Sequence, residues 1–97
     1  MKSYWVYILK CSDGSYYTGS TSDIEKRLSE HKLGFYKGYT KHKRPVKLVF
    51  SQNFTNPNDA VSAEQQIKGW TRAKKEALIN ADFDLLVILS KKKGKSS

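Results

Sequence analysis

The chain has 97 residues, which is enough for one domain with a modest hydrophobic core. It carries 18 Lys and Arg against 9 Asp and Glu, and the formal charge of +9 favours nucleic acid as a partner because phosphate contacts release counterions. A single cysteine excludes an internal disulfide, and one cysteine with two histidines excludes the usual four-ligand structural zinc site.

The chain begins with a predicted β-hairpin. Residues Tyr4 to Leu9 are largely aromatic and β-branched, as is typical of a strand, and Ser15 to Gly19 form a second strand after the turn signal Ser12-Asp13-Gly14. We predict a three-residue loop whose glycine is left-handed at a bulge. Compared with a two-residue loop, this register shifts the pairing by one residue and brings Tyr7 and Tyr17 onto one face of the sheet.

A helix and a third strand are predicted next. Ser22-Asp23-Ile24-Glu25 has the pattern of a capping box with Ser22 as the N-cap, and the helix should run to about Leu33, where Gly34 ends it. The remaining predictions are a strand over Val46 to Asn53, a helix from Asn56-Pro57 to about Trp70, a helix capped by Thr71 over 72–80, and a strand or extended segment over Phe83 to Leu89. This order predicts an α+β fold in which a small three-stranded, largely antiparallel sheet is flanked by helices.

The domain organisation follows from the distribution of apolar residues. We expect one domain over residues 1–90 and a disordered basic tail over 91–97. No apolar run approaches the roughly 20 residues that a membrane-spanning helix needs, and the first residues show no signal-peptide pattern. The default expectation is a cytoplasmic monomer with no membrane partner.

Three polar side chains fall where the helical pattern predicts apolar ones. Arg27 and His31 lie one turn apart on the buried stripe of the first helix, and Glu64 flanks the apolar stripe of the second. A structural explanation is open for each. Arg27 and His31 could lie at the edge of the core, where their polar ends reach solvent, and Glu64 could form an ion pair, for instance with Arg27. The alternative is that all three belong to a functional site.

Two short tyrosine motifs precede these polar residues along the chain. Trp5-Val6-Tyr7 lies on the first strand and Tyr17-Thr18-Gly19 on the second. Followed by Arg27 and His31 on one helix and an acid, Glu64, on a later one, the motifs resemble those of the GIY-YIG nuclease superfamily. The similarity is to the small stand-alone bacterial members, in which this domain is nearly the whole protein.

The resemblance implies a metal-dependent endonuclease that hydrolyses or nicks DNA phosphodiester bonds, with RNA as an alternative substrate. Glu64 would bind one divalent cation, Mg²⁺ or Mn²⁺. Arg27 would contact the scissile phosphate. Tyr7 and Tyr17 would line the site, one of them orienting or deprotonating the attacking water, and His31 would assist the proton transfer or bind a phosphate.

Several positions qualify the resemblance. Gly19 would permit close backbone packing beside the catalytic tyrosine. Trp5 replaces the leading glycine of the family motif, which changes local packing but removes no catalytic group. Ser20 stands where some repair-nuclease members have a lysine, so any role of that lysine in assisting the base is missing. Asn80 is the nearest candidate for the late asparagine of the family, and we leave it out of the predicted catalytic set.

The segment 35–44 interleaves aromatic and basic residues. Such a segment can pair with phosphates and stack on exposed bases, although a solvated loop without a ligand can have the same composition. The residues that we predict to bind nucleic acid are Lys37, Tyr39, Lys41, His42, Lys43 and Arg44. Basic residues of the later helices could extend this surface, namely Lys68, Arg72, Lys74 and Lys75.

Two other functions stay open at this point. The first is a non-catalytic nucleic-acid-binding module with the same fold, and the second is an accessory protein that recruits a partner. The complete set of five candidate catalytic residues favours the enzyme, because a degenerate module is expected to lose some of them. A recruiting protein should show a sizeable exposed apolar patch, which the sequence does not obviously supply. With no separate DNA-binding domain in the 97 residues, we expect weak sequence specificity.

Overall fold

The computed structural model describes residues 3–35, 38 and 40–94, the last four of these by their backbone. Three strands and four helices follow one another along the chain as β1 (Tyr4–Lys10), β2 (Tyr16–Thr21), α1 (Ile24–Leu33), β3 (Lys47–Phe54), α2 (Pro57–Lys68), α3 (Arg72–Ile79) and α4 (Phe83–Gly94). The strands form one antiparallel sheet in the order β2-β1-β3. The predicted α+β fold is confirmed, and β2 lies at an edge of the sheet.

The hairpin has the predicted bulged register. Tyr7 pairs with Gly19 and Leu9 pairs with Tyr17. Gly14 adopts φ +85°, in the left-handed region that glycine enters without a steric penalty, and its N–H donates to the carbonyl of Cys11 at 2.9 Å. Tyr7 and Tyr17 therefore lie diagonally opposite each other on one face.

The first helix begins one residue later than predicted. Its N-cap is Asp23, whose carboxylate accepts the N–H of Lys26 at 3.1 Å, so the proposed capping box with Ser22 as the cap is wrong. Aspartate caps a helix as well as serine does. The hydroxyl of Thr21 accepts the N–H of Asp23 at 3.1 Å and fixes the chain just before the helix. Gly34 ends the helix at φ +78°, as predicted.

The C-terminal segment differs most from the prediction. Residues 83–94 form a helix where the sequence predicted a strand or extended segment, and the first four residues of the predicted disordered tail are helical. A short apolar run does not distinguish a helix from a strand. The deciding feature is the Asp82 carboxylate, which accepts the N–H of Leu85 at 3.2 Å as a cap. Within the described residues, no helix is long and apolar enough to cross a membrane.

Helix α4 packs mainly against α3 and leaves apolar side chains exposed. Its exposed apolar residues are Phe83, Leu85, Val87 and Ile88. No exposed apolar surface of this kind was predicted from the sequence. Elsewhere, α2 begins within the predicted start signal, with Asn56 as its N-cap, and α3 begins after the predicted cap Thr71.

Helices cover both faces of the sheet, because successive residues of a strand point to opposite sides. Val6 and Ile8 pack with Ala60 and Ile67 of α2 on one face. On the other face, Tyr7 and Leu9 form a cluster with Cys11 and Val46, against which Tyr17, Ile24, Leu28 and Leu48 pack. Consecutive residues of β2 therefore face α1 and α2 in turn.

Candidate active site

Two tyrosines and a histidine form a buried cluster between the hairpin and α1. Tyr7 and His31 are almost completely buried, and Tyr7 Oη lies 3.0 Å from His31 Nε2. The Tyr17 ring lies 5.2 Å from the imidazole and 6.2 Å from the Tyr7 ring, between ring centroids. The bulged hairpin register places the tyrosines together, and the helical period places His31 over them.

Gly19 makes room for this cluster. A Cβ atom at this position would lie 2.6 Å from Tyr7 Oη and 3.0 Å from Cε2 of Tyr17. Both distances are shorter than a van der Waals contact, so only glycine lets the Tyr7 hydroxyl lie against β2. This observation agrees with the close backbone packing expected at Gly19.

Ser20 connects the other two candidate residues across the sheet edge. Its carbonyl accepts a hydrogen bond from Arg27 Nη1 at 3.4 Å. Its hydroxyl donates to Glu64 Oε1 at 2.7 Å. Gly19 lies against Tyr7 and Tyr17, so two neighbouring residues of β2 contact four of the five candidate catalytic side chains. His31 joins them through Tyr7. Glu64 is reached from the α2 face of the strand and the tyrosines from the α1 face.

The ion pairs differ from the one considered in the sequence analysis. Arg27 Nε lies 3.2 Å from Glu30 Oε1, and Lys68 Nζ lies 2.9 Å from Glu64 Oε2. The suggested Arg27–Glu64 pair is therefore wrong, and each residue instead has a partner on its own helix. Both pairs are partly exposed, so each contributes at most about 0.5 kcal/mol to stability. A substrate phosphate or a cation could therefore displace either partner at low cost.

His31 is neutral in the folded protein over the physiological pH range. Burial, followed by the nearby Arg27 guanidinium, lowers the pKa of His31 to about 4, and Glu30 opposes this shift. The second ring nitrogen, Nδ1, lies 2.6 Å from Oγ1 of Thr40, which is fully buried. Thr40 was not predicted as a site residue, because it lies in a segment without periodicity and its basic neighbours indicated a solvent-facing role.

Glu64 has the properties of a weak cation ligand. Its side chain is 16 % exposed, and one carboxylate oxygen is held by Ser20 while the other faces the exposed ammonium of Lys68. In the described residues, no three His, Cys, Asp or Glu side chains cluster to form a dedicated metal site. A hard cation that keeps most of its water ligands needs only one carboxylate from the protein. The residues present therefore fit a single hydrated divalent cation and not a fully protein-ligated one.

An open cleft of about 290 Å³ lies beside Arg27. It extends along the first turn of α1, and its lining includes Lys26 and Glu30 as well as residues of the β2–α1 connection. The cleft is polar and large enough for a phosphate group with its water shell. Lys26 and Arg27 give its lining two positive charges, and Asp23 and Glu30 give it two negative ones.

Two cations of the basic loop, Lys43 and the exposed Arg44, have contacts within the protein. Lys41 and His42 are exposed. Lys43 pairs with Asp13 at 3.2 Å, and Arg44 donates from Nε to the carbonyl of Lys41 at 3.2 Å. The other two residues predicted for this surface, Lys37 and Tyr39, lie outside the described residues.

Several cations of the later helices have structural contacts. Arg72 pairs with Glu76 at 3.1 Å and donates to the carbonyl of Gly14 at 2.8 Å. Lys74 is buried, with its ammonium 4.8 Å from the centre of the Trp70 ring. These contacts connect α3 to the hairpin and the α2–α3 corner, so they explain these two residues without a ligand.

The three-stranded sheet, the flanking helices and the tyrosine-rich cluster at the sheet edge define a nuclease-like α+β domain. The model of the GIY-YIG catalytic domain matches residues 3–77. The chain belongs to the GIY-YIG family, as the resemblance had indicated. A nuclease domain implies a nucleic acid substrate, and nucleases of this family generally depend on a divalent metal.

Relatives and solved structures agree with this assignment. The chain is 45 % identical over 80 residues to the UPF0213 protein SSP2268 of Staphylococcus saprophyticus, covering 82 % of this chain and 98 % of the relative. It is 46 % identical over 79 residues to the UPF0213 protein SA0446 of Staphylococcus aureus, covering 81 % and 96 %. The names of these relatives specify no activity.

Two solution NMR structures resemble this one. The UPF0213 protein BH0048 from Bacillus halodurans has a TM-score of 0.56 and 38 % identity, covering 81 % of this chain and 84 % of that one. The protein EF2693 from E. faecalis has a TM-score of 0.59 and 37 % identity, covering 88 % and 90 %. Helix α4 begins after the last residue that the family model matches.

Proposed function

We propose that the protein is a divalent-metal-dependent endonuclease that hydrolyses phosphodiester bonds in DNA, with RNA as the alternative substrate. The observation that carries the proposal is that Tyr7, Tyr17, Arg27 and Glu64 contact Gly19 and Ser20 of the edge strand, with His31 hydrogen-bonded to Tyr7. Two phenols, an imidazole, a guanidinium and a carboxylate together supply the groups that this reaction needs. Family membership supports the same class of activity.

The chemistry assigns a role to each side chain. In the reaction a water oxygen attacks phosphorus, one P–O ester bond breaks, the water proton passes to a base, and the leaving oxygen takes up a proton from solvent. Arg27 would bind the scissile phosphate, because a guanidinium neutralises the charge that develops on its oxygens. One of Tyr7 and Tyr17 would orient or deprotonate the water, and the neutral imidazole of His31 would support it by hydrogen bonding.

Glu64 would hold the cation, Mg²⁺ or Mn²⁺, by the carboxylate that Ser20 orients. A bound divalent cation supplies positive charge next to the phosphate and the leaving oxygen. The Lys68 ammonium would leave the carboxylate when the cation binds, at the low cost of an exposed ion pair. Lys41 and His42 would contact phosphates further along the strand.

The experiment compares cleavage of labelled duplex, single-stranded and branched DNA and of RNA by the wild type, Glu64→Gln and Tyr17→Phe. Each reaction is run with Mg²⁺, with Mn²⁺ and with a chelator. We expect both variants to lose at least about 100-fold in rate, because each loses a group that acts in the transition state. The chelator should abolish cleavage by the wild type.

Matched controls exist for both variants. Glu76→Gln changes a carboxylate on α3 that binds Tyr16 and Arg72, and Tyr16→Phe changes the adjacent tyrosine, whose hydroxyl donates to Glu76 at 3.0 Å. Both controls should retain near-wild-type rates. Cleavage that persists in Glu64→Gln and Tyr17→Phe would indicate a contaminant or a different site. Salt-sensitive binding without cleavage under every condition would favour the non-catalytic binding module instead.

A further inference from the structure

The hydrogen bond between Thr40 and His31 plays no part in the roles assigned above. Thr40 is fully buried, and in the described part of the chain its hydroxyl has one hydrogen-bond partner, the Nδ1 atom of His31 at 2.6 Å. On the opposite side of the ring, Nε2 lies 3.0 Å from Tyr7 Oη. The imidazole is thus held between two hydroxyl groups, one from the loop and one from β1.

Proton counting decides how these bonds are oriented. A neutral imidazole has one N–H donor and one acceptor nitrogen, and a hydroxyl has one proton to donate. If Nδ1 carried the proton, the hydroxyl proton of Thr40 would be buried without an acceptor, at a cost of about 1–3 kcal/mol. If Nε2 carries it, Thr40 donates to Nδ1 and His31 donates to Tyr7. The second arrangement satisfies the Thr40 proton and both ring nitrogens, and it leaves the phenol proton of Tyr7 to a partner other than His31. Tyr7 has a further interaction in the structure, whereas in the described part of the chain the Thr40 hydroxyl has His31 alone, and this difference favours the second arrangement.

We propose that Thr40 is a positioning residue that fixes His31 as the Nε2–H tautomer and so directs the imidazole N–H at the Tyr7 oxygen. Its catalytic consequence rests on the proposed function. A phenol oxygen that accepts a hydrogen bond loses its proton more readily. After its own proton has passed to solvent, Tyr7 as a phenolate would take the proton of the attacking water, while Tyr17 would orient that water and His31 would stay neutral.

The surroundings of His31 are compatible with this assignment. Tyr17 faces the imidazole from β2, and the charged groups Arg27 and Glu30 lie near it on α1. The low pKa of His31 keeps the ring uncharged at neutral pH, so that one nitrogen remains an acceptor. Only a neutral ring has a tautomer for Thr40 to select.

The direct test is an NMR measurement of the histidine ring nitrogens in the full-length ¹⁵N-labelled protein. The chain has two histidines, so a His42→Gln variant assigns the signals. In the wild type at pH 7 we expect a protonated Nε2 and an unprotonated Nδ1 for His31. A protonated Nδ1 in the wild type would overturn the proposal, whatever the activity.

Two substitutions test whether Thr40 is the cause. Thr40→Val keeps the shape of the side chain but removes the hydroxyl, and we expect the two nitrogens to share the proton, with both shifts moving to intermediate values. Thr40→Ser restores the hydroxyl and should restore the wild-type shifts. Unchanged nitrogen shifts in Thr40→Val would refute the role of Thr40. The wild-type spectrum keeps the proposal testable if the valine variant fails to fold.

Kinetics provide the second readout. In Thr40→Val we expect kcat to fall about tenfold and the pKa of the catalytic base, read from the pH profile of kcat/KM, to rise. Thr40→Ser should match the wild type in kcat and in the pKa of the base. A Thr40→Val variant with a lower kcat/KM but an unchanged pKa of the base would contradict the positioning role. The tautomer result is independent of cleavage. A protonated Nε2 in a protein that cuts no substrate would refute the proposed function and leave the assignment of Thr40 in place.

Discussion

Substitution of Gly19 by alanine should disrupt the candidate site without altering any catalytic group. The added methyl would lie 2.6 Å from Tyr7 Oη and 2.8 Å from its Cζ, and Tyr7 is only 1 % exposed. The Tyr7 ring therefore has to move, and its 3.0 Å contact with His31 is lost. The perturbation acts through packing, because Gly19 does not adopt a positive φ.

The cost can be worked out from these contacts. Overpacking of a buried site costs about 1–3 kcal/mol, and loss of one buried hydrogen bond adds about 1 kcal/mol. Alanine also restricts the unfolded chain more than glycine does, which raises the free energy of unfolding by about 0.4–1 kcal/mol. We therefore expect Gly19→Ala to lower the free energy of unfolding by about 1–3.5 kcal/mol, the sum of these three contributions. Its cleavage rate should fall as far as that of Tyr7→Phe.

Urea denaturation followed by circular dichroism measures the change in stability. Gly69→Ala is the matched control, since the nearest atom to its Cβ would be 3.6 Å away and its φ is −83°. This control should stay within about 0.5 kcal/mol of the wild type. The double variant Gly19→Ala/Tyr7→Phe removes the nearest clashing atom and should show a coupling energy of about 1 kcal/mol. A stable Gly19→Ala protein with wild-type cleavage would refute the close packing of Tyr7 on β2.

Three further predictions concern pH, the last helix and the basic loop. Because the pKa of His31 is about 4 when folded and 6.5 when unfolded, the unfolded chain binds more protons between these values. Urea denaturation at several pH values in this window should show the free energy of unfolding falling by up to about 3 kcal/mol as pH drops, and His31→Gln should reduce this fall. If the free energies of unfolding of wild type and His31→Gln change with pH in the same way, the burial of a neutral imidazole is contradicted. A chain truncated after Asp82 should keep its cooperative unfolding transition, since α4 packs mainly against α3 and lies beyond the matched domain, and loss of the transition would show that α4 is required. Lys41→Ala should reduce the slope of log affinity against log salt by about one in a binding titration; an unchanged slope would exclude a phosphate contact.

The sequence predicted the parts of the fold that depend on local rules. The hairpin register followed from one glycine, and the helix that ends at Gly34 followed from its period and C-cap. The N-cap of α1 was wrong because two adjacent residues, Ser22 and Asp23, can both cap a helix. The last helix was missed because a short apolar run is compatible with either secondary structure.

The candidate site was predictable as a set of residues but not as a network. Resemblance to a family indicated which side chains should converge, and their contacts depend on tertiary structure. Ser20 shows the difference, because it was noted only as the replacement of a lysine, yet it contacts both Arg27 and Glu64. Thr40 gave no signal, since its contact with His31 depends on tertiary structure.

The position of β2 at the border of the sheet has a consequence for substrate access. Strand β2 pairs with a neighbouring strand along one of its edges, and its other edge is not paired within the sheet. Gly19 and Ser20 lie on this strand. A phosphodiester chain could approach from the flank of the domain and run alongside the strand, with the tyrosines reached from one face and the carboxylate from the other. Under the proposed function, long polymers could bind alongside the strand as easily as short ones, because neither end has to be threaded.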